Sequence, residues 1–378
     1  MKFVLFCHSL VSDWNHGNAH FLRGIVAELI ARGHRVEVYE PQDGWSRRHL
    51  VAAHGEVAIA EFQRRFPRLR SRTYRPDEFD PAAALDDADV VIVHEWNPPE
   101  LVARIGRARR DGGDFRLLFH DTHHRSVTAP AEMAAYDLRD YDGVLAFGGA
   151  VRQRYLEHGW HGTVFTWHEA ADTRIFHPRV RKQTDQQLVW IGNWGDGERA
   201  RELDEFLIGP VRDLQLRACL HGVRYPPEAL AALQRAGIAY RGWLPNWRVP
   251  EIFARARLTV HVPRGPYAQA LPGIPTIRVF EALACGIPLI SAPWSDCECL
   301  FKPGTDYLTV RSGAEMRAAL RDVLHAPALA ASLVANGLRR IRAQHTCGHR
   351  VAELMAIVAA LGAGAAAQPT PHKEAAHA

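Results

Sequence analysis

Blocks of apolar residues recur along this chain in two alternating periods. Residues 2–7 are a short apolar run that predicts a strand, and residues 19–31 set Phe21, Leu22, Ile25, Val26, Leu29 and Ile30 on one face of a helix that stops at Gly33. Residues 35–39 predict a second strand. Strand, loop, helix and strand within about 40 residues make a parallel β-α-β unit. Further strands at 89–93, 115–119 and 143–147, with a helix at 100–110, extend the first half into a Rossmann-like layer.

Around residues 176–187 the pattern lapses into a polar stretch containing Pro178, which predicts an interdomain linker. A second α/β run follows, with strands at 187–191, 216–220, 258–262 and 288–291 and helices at 198–208, 228–236 and 249–256. Beyond Val310 the chain reads as helical over 314–325, 327–344 and 349–361, Pro327 suiting a first helical position. The last residues have almost no large apolar side chain and predict a disordered tail. The division is an N-terminal domain at 1–178, a C-terminal domain at 186–345, a last helix at 346–361 and a tail at 362–378.

With 378 residues, 47% apolar and 23% charged, the chain is long for one core and of ordinary globular composition. A net charge of +4 argues against nucleic-acid wrapping and against a membrane anchor. No apolar run reaches the roughly 20 residues that span a bilayer, and the apolar start is too short for a signal peptide, so a cytoplasmic location is expected. The basic runs Arg47–Arg48 and Arg64–Arg72 read as solvated helix ends. Six cysteines in no zinc spacing predict reduced thiols, Cys297 and Cys299 included.

The densest signals fall between Gly273 and Trp294. Pro275 predicts a helix start, Gly286 and Pro288 a stop, and residues 287–291 a short buried strand. Ile277, Phe280, Leu283 and Ala284 supply the apolar face, which leaves Glu281 one turn after Arg278. The amino end of such a helix, at Thr276 and Ile277, offers free N–H groups and the positive end of a dipole to a phosphate. The competing reading is a capped helix with an exposed Arg–Glu pair.

Residues 278–294 resemble the closing motif of nucleotide-sugar glycosyltransferases of the GT-B fold, and Arg-Val-Phe-Glu-Ala-Leu-Ala-Cys-Gly-Ile-Pro looks most like the spore-maturation CgeB-like group. The resemblance implies two Rossmann-like domains facing across a cleft, with the last helices crossing back to the first domain. It implies that Glu281 binds the donor ribose and that the helix-start amides hold the diphosphate. Many retaining relatives carry a second glutamate eight positions earlier, where this chain has Gly273, so their donor-sugar contacts do not carry over. The resemblance is continuous through the second domain, weaker before Asp89 and absent after about Leu361.

Further candidates sit at predicted carboxyl ends of strands, where ligands of parallel sheets bind. The loop 9–20 lacks the three-glycine dinucleotide fingerprint, which argues against a nicotinamide enzyme; in the resembled fold it borders donor and acceptor, with Gly17 allowing close approach. Gly192, Asn193 and Trp194 form a glycine-rich turn like one in CgeB-like proteins, and Arg199 adds a cation for a diphosphate. His120, Asp121, His123 and His124 are too crowded for one metal ion; His120 and Asp121 are read as the catalytic pair reaching sugar or acceptor hydroxyl, with His123 beside them. The run 167–172, with His168 and Glu169, either lines the cleft or packs the linker. Trp243 and Leu244 are candidates for stacking and main-chain contacts to a nucleobase, and 261–267 for the cleft wall. The runs Asp87-Ala-Asp89 and Asp140-Tyr-Asp142 enter strands, away from the ligand end.

The reaction implied is sugar transfer from a nucleoside-diphosphate donor to a hydroxyl of a glycan, lipid or small-molecule acceptor, with no metal or other cofactor and with no nucleic acid as partner. The closing motif points to retention, and the loss at Gly273 leaves inversion open. A binding protein of the same fold without turnover, or a sugar-nucleotide epimerase, are the alternatives.

Overall fold

The computed structural model describes residues 1–180 and 185–366. Seven strands form the first sheet: β1 (Lys2–Phe6), β2 (Arg35–Pro41), β3 (Arg72–Tyr74), β4 (Val90–His94), β5 (Arg116–Asp121), β6 (Gly143–Ala146) and β7 (Val164–Thr166). Six form the second: β8 (Gln186–Ile191), β9 (Ala218–His221), β10 (Ile238–Tyr240), β11 (Ala256–His261), β12 (Leu289–Ser291) and β13 (Leu308–Thr309). Both are wholly parallel, so helices cover both faces and inner strands are apolar throughout; every residue of β1 and β4 is buried.

The strand orders are β3-β2-β1-β4-β5-β6-β7 and β10-β9-β8-β11-β12-β13. Each order reverses at one place, between β1 and β4 and between β8 and β11, and the loops leaving those strands open a crevice at their carboxyl ends. The two crevices face each other. The Asp-x-Asp runs lie at the opposite end: Asp89 accepts from the Lys2 amide at 2.6 Å, and Asp142 from the Leu117 amide at 2.7 Å.

The returning chain ties the halves together. Helix Cys347–Ala366 packs on helix Ala19–Ala31, where a Cβ on Gly24 would lie 2.4 Å from Cys347 Sγ. The Trp167 indole donates to the Arg350 carbonyl at 2.8 Å, and Arg350 Nε to the His168 carbonyl at 2.9 Å. This helix runs to Ala366, so residues 362–366 are helical where a disordered tail is predicted; 367–378, like 181–184 of the linker, lie outside the described residues.

Three local expectations are corrected. The helix predicted at 198–208 begins at Ala200 and passes through a π turn, Asp204–Ile208, because Pro210 has no N–H to donate and Gly209 donates back to Asp204 instead. Pro275 is not a first helical residue: Thr276 is extended (φ −75°, ψ 160°) and the helix is Ile277–Cys285. Arg72 lies in the edge strand β3, which three residues of mixed exposure did not announce. Gly286 takes the left-handed conformation (φ 65°) that ends the helix, as its sequence predicts. All six cysteines are free, and among the described residues no single helix is long and apolar enough to cross a membrane.

Candidate active site

Between the sheets lies a cavity of about 650 Å³, lined from both domains by the loops after β1 to β9 and after β11 and by the start of helix Ile277–Cys285. The size suits a sugar nucleotide. Thr276, Ile277 and Arg278 line it, and no side chain caps that helix, so its first amides face the space unpaired. The Thr276 hydroxyl is 3.1 Å from His261 Nε2, and His261 Nδ1 is 2.9 Å from Ser291 Oγ. Because Ser291 gives its own proton to the Ala292 carbonyl, His261 must donate from Nδ1 and accept from Thr276 at Nε2. Burial, then the Arg199 charge, lowers the His261 pKa to about 3, which keeps this ring neutral.

Four arginines line the cavity. Arg199 is buried, donates to the carbonyls of Val262 (2.6 Å) and Asn193 (2.5 Å), lies over the Trp190 ring, and leaves its Nε without a partner. Burial lowers its pKa to about 10, so it remains a cation at neutral pH. Arg264 is held by Glu198 at 2.6 Å and Arg224 by Asp196 at 2.6 Å. Arg278 is held by Glu281.

Glu281 is wholly buried and does not reach the cavity surface. Its Oε1 lies 2.9 Å from Nδ1 of His20 in the other domain; His20 Nε2 accepts the Asp172 amide at 2.8 Å, so the proton must sit on Nδ1 and point at Glu281. Burial alone would raise the Glu281 pKa, but Arg278 and this hydrogen bond outweigh it and hold the carboxyl below its ordinary value. The competing reading of an exposed pair does not hold, since Glu281 is buried as an interdomain lock, and in this conformation it does not meet the cavity where the resemblance implies a ribose contact.

Gly17, Gly192, Asn193, Arg199 and His123 all line the cavity. Gly17 lies within contact of Ile277, and Asn193 donates to Asn15 at 2.7 Å across the cleft. Trp194 does not line it and packs on Tyr225 instead. Trp243 and Leu244 border a side recess of about 20 Å³, room for roughly one water. One face of Trp243 is taken by His54 and its N–H by Asp13 at 2.9 Å, so the recess holds no base in this conformation.

His120 and Asp121 lie behind the cavity wall. His120 is packed against Trp167 and His94, while Asp121 accepts from Tyr155 (3.0 Å) and the His123 amide (3.1 Å). Strand alternation explains this: successive residues of β5 point to opposite faces of a covered sheet, and only Thr122 and His123 emerge beyond its end. The runs 9–20 and 261–267 bring His16 and Arg264 to the cavity as expected, while Arg224, His8, Trp45 and Trp96, which loops bring in from distant positions, were missed. Glu169 also lines the cavity, settling the choice left open for its run. Gly273 has φ +86°, and a Cβ there would meet Glu298 Oε1 at 2.7 Å; Glu298 instead accepts the Gly149 amide at 2.8 Å across the cleft.

Residues 199–356 match a family model described as glycosyl transferase-like. No curated protein sequence matches the chain. Among solved structures, the fold is similar to sucrose-phosphate synthase from Thermosynechococcus elongatus (15% identity, 96% of this chain and 100% of that one, TM-score 0.65). It is also similar to Anabaena HepE in complex with UDP and glucose (14%, 94% and 100%, TM-score 0.68) and to an alpha-glucosyltransferase in complex with UDP and DNA (11%, 95% and 98%, TM-score 0.69). Two parallel sheets, a facing cleft and a returning helix make this the GT-B fold of the glycosyltransferases.

Proposed function

We propose that this protein is a glycosyltransferase that moves a sugar from a nucleoside-diphosphate donor to an acceptor hydroxyl. The observation that carries the reading is the convergence of uncapped helix amides at Ile277 and Arg278 with four arginines on one cavity. Those groups meet the charge that develops on a leaving diphosphate, and so support a metal-independent reaction. UDP is the first nucleotide to test, since HepE and the alpha-glucosyltransferase were solved with it. The wording of residues 278–288 supports a CgeB-like relationship, and a cytoplasmic nucleotide-sugar pool is the proposed setting. The acceptor is a glycan, lipid or small molecule.

Residue roles follow the geometry. Thr276, Ile277, Arg278, Arg199 and the Gly192–Asn193 turn hold the diphosphate, while Glu281 is a positioning residue that sets Arg278. The motif's resemblance to retaining enzymes supports retention at the sugar C1. Inversion is a second reading, favoured by Gly273, whose backbone and neighbour Glu298 leave no room for the glutamate of those relatives. The test is calorimetric titration of chelator-treated protein with UDP, GDP, ADP and TDP. Micromolar binding of one of them, lost in Arg199→Ala, is expected; binding that needs an added divalent ion would remove the metal-independent part, and no binding of any would remove the donor reading.

A further inference from the structure

The cavity is lined by two carboxyl groups, Asp196 and Glu169. Asp196 is committed to Arg224 at 2.6 Å. Among the described residues Glu169 makes no side-chain hydrogen bond or ion pair; it is 4% exposed, and its Oε1 is fully shielded and without a partner there. A buried carboxyl left bare at the edge of a cavity is costly unless something arrives to meet it. Its backbone is firmly placed: the Glu169 carbonyl faces Arg350 Nε at 3.3 Å, and the neighbouring Trp167 and Ala171 are tied to the returning chain. The lack of a partner is therefore not the looseness of a surface loop.

We propose that Glu169 is the catalytic base of the transfer, the group that takes the proton of the acceptor hydroxyl. The assignment rests on the donor reading above and follows its inverting course. As the acceptor oxygen bonds to the sugar C1, its proton passes to the Glu169 carboxylate. The bond from C1 to the phosphate oxygen breaks, and its electron pair leaves with the nucleoside diphosphate, where Arg199, Arg278 and the helix amides meet the charge. Glu169 then returns the proton to water through the open cleft.

The surroundings suit a base that works near neutral pH. Glu281 and Arg278 face Glu169 from helix Ile277–Cys285, Glu95 from the loop after β4, and Tyr267 from helix Gly265–Gln269; His168 and Asp172 flank it on its own segment. Burial, and then the Glu281 charge, outweigh the Arg278 cation, and the Glu169 pKa rises to about 8. A base matched to the operating pH is the efficient one.

UDP placed beside Glu169 adds negative charge and must raise its proton affinity further. Calorimetry of UDP binding at pH 8, in two buffers of different ionisation enthalpy, reads that uptake directly. Wild type should take up part of a proton per UDP, and Glu169→Gln, which keeps shape and fold, should take up distinctly less, the remainder coming from Glu95 and Asp121, which are also raised to about 8. With UDP-glucose turning over to water, the variant should lose about 100-fold or more in kcat at nearly unchanged KM, together with the rise in rate through pH 8. Uptake that is absent in wild type or undiminished in the variant, a variant with wild-type kcat, or a product of retained configuration overturns the assignment. UDP that does not bind at all overturns the donor reading instead.

Discussion

Arg278→Met separates the structural from the binding role of the buried pair. The substitution removes the cation that holds Glu281 and leaves a wholly buried carboxylate with only the His20 N–H. Breaking a buried pair from one side costs about 3 kcal/mol, the lower end of the usual range because the Arg278 side chain is 24% exposed. With an unfolding entropy of about 2.1 cal/mol/K per residue, the loss is roughly 4 °C in Tm if the chain unfolds as one unit, and about 8 °C if the second domain unfolds alone. UDP affinity should fall by about 10- to 150-fold for the lost charge-assisted contact. The double variant Arg278→Met, Glu281→Gln no longer buries an unpaired charge, so it should regain part of the Tm while UDP affinity stays low. Scanning calorimetry and UDP titration of both variants decide the matter. An unchanged Tm in the single variant would refute the lock, and recovered affinity in the double variant would refute the placement of Arg278 at the diphosphate.

Arg199→Ala should weaken UDP binding by about tenfold or more, and Arg199→Lys should rescue little, because a point charge cannot hold the Val262 and Asn193 carbonyls as the planar fork does; titration of both variants tests this. Gly222→Ala would set a Cβ 1.9 Å from the Gly192 carbonyl oxygen, so the turn must shift and UDP binding should be lost with a lowered Tm. Thermal stability should peak near pH 6.5. Burial lowers the pKa of His8, His124, His221 and His345 to about 4 and of His94 and His261 to about 3; these histidines outnumber the raised carboxyls, and stability from them is full above the unfolded histidine value and lost as pH falls from 6.5. Burial raises Glu95, Asp121 and Glu169 to about 8, and their contribution is full below the unfolded carboxyl value and lost as pH rises toward 8. Tm measured from pH 4 to 9 checks both limbs, and a flat or monotonic profile would contradict them.

The strand and helix periods carried the architecture because covered parallel strands and amphipathic helices each leave a repeating apolar mark: Val90–His94 and Ala19–Ala31 lie where the pattern predicts them, to within a residue. Short edge strands such as Arg72–Tyr74 leave no such mark. The grouping of the residues proposed to hold a diphosphate was legible for a related reason, since an uncapped helix start and a glycine turn are local features, and Thr276, Ile277, Arg278, Gly192 and Asn193 do meet at one cavity. What a side chain faces is not local. Glu281 is turned inward by His20, which lies 261 residues away in sequence, and His120 differs from the cavity-lining His123 only by its place on a covered strand. Arg224 comes from a segment with no motif, and only the folded chain brings it to the cavity that Arg199 lines.

A crystal structure of the protein with UDP tests the central claim most directly. The diphosphate should lie within hydrogen-bonding distance of the Ile277 and Arg278 amides, with Arg199 or Arg264 on its oxygens and no metal required between them. UDP bound elsewhere, or with its phosphates turned away from the start of helix Ile277–Cys285, would contradict the account.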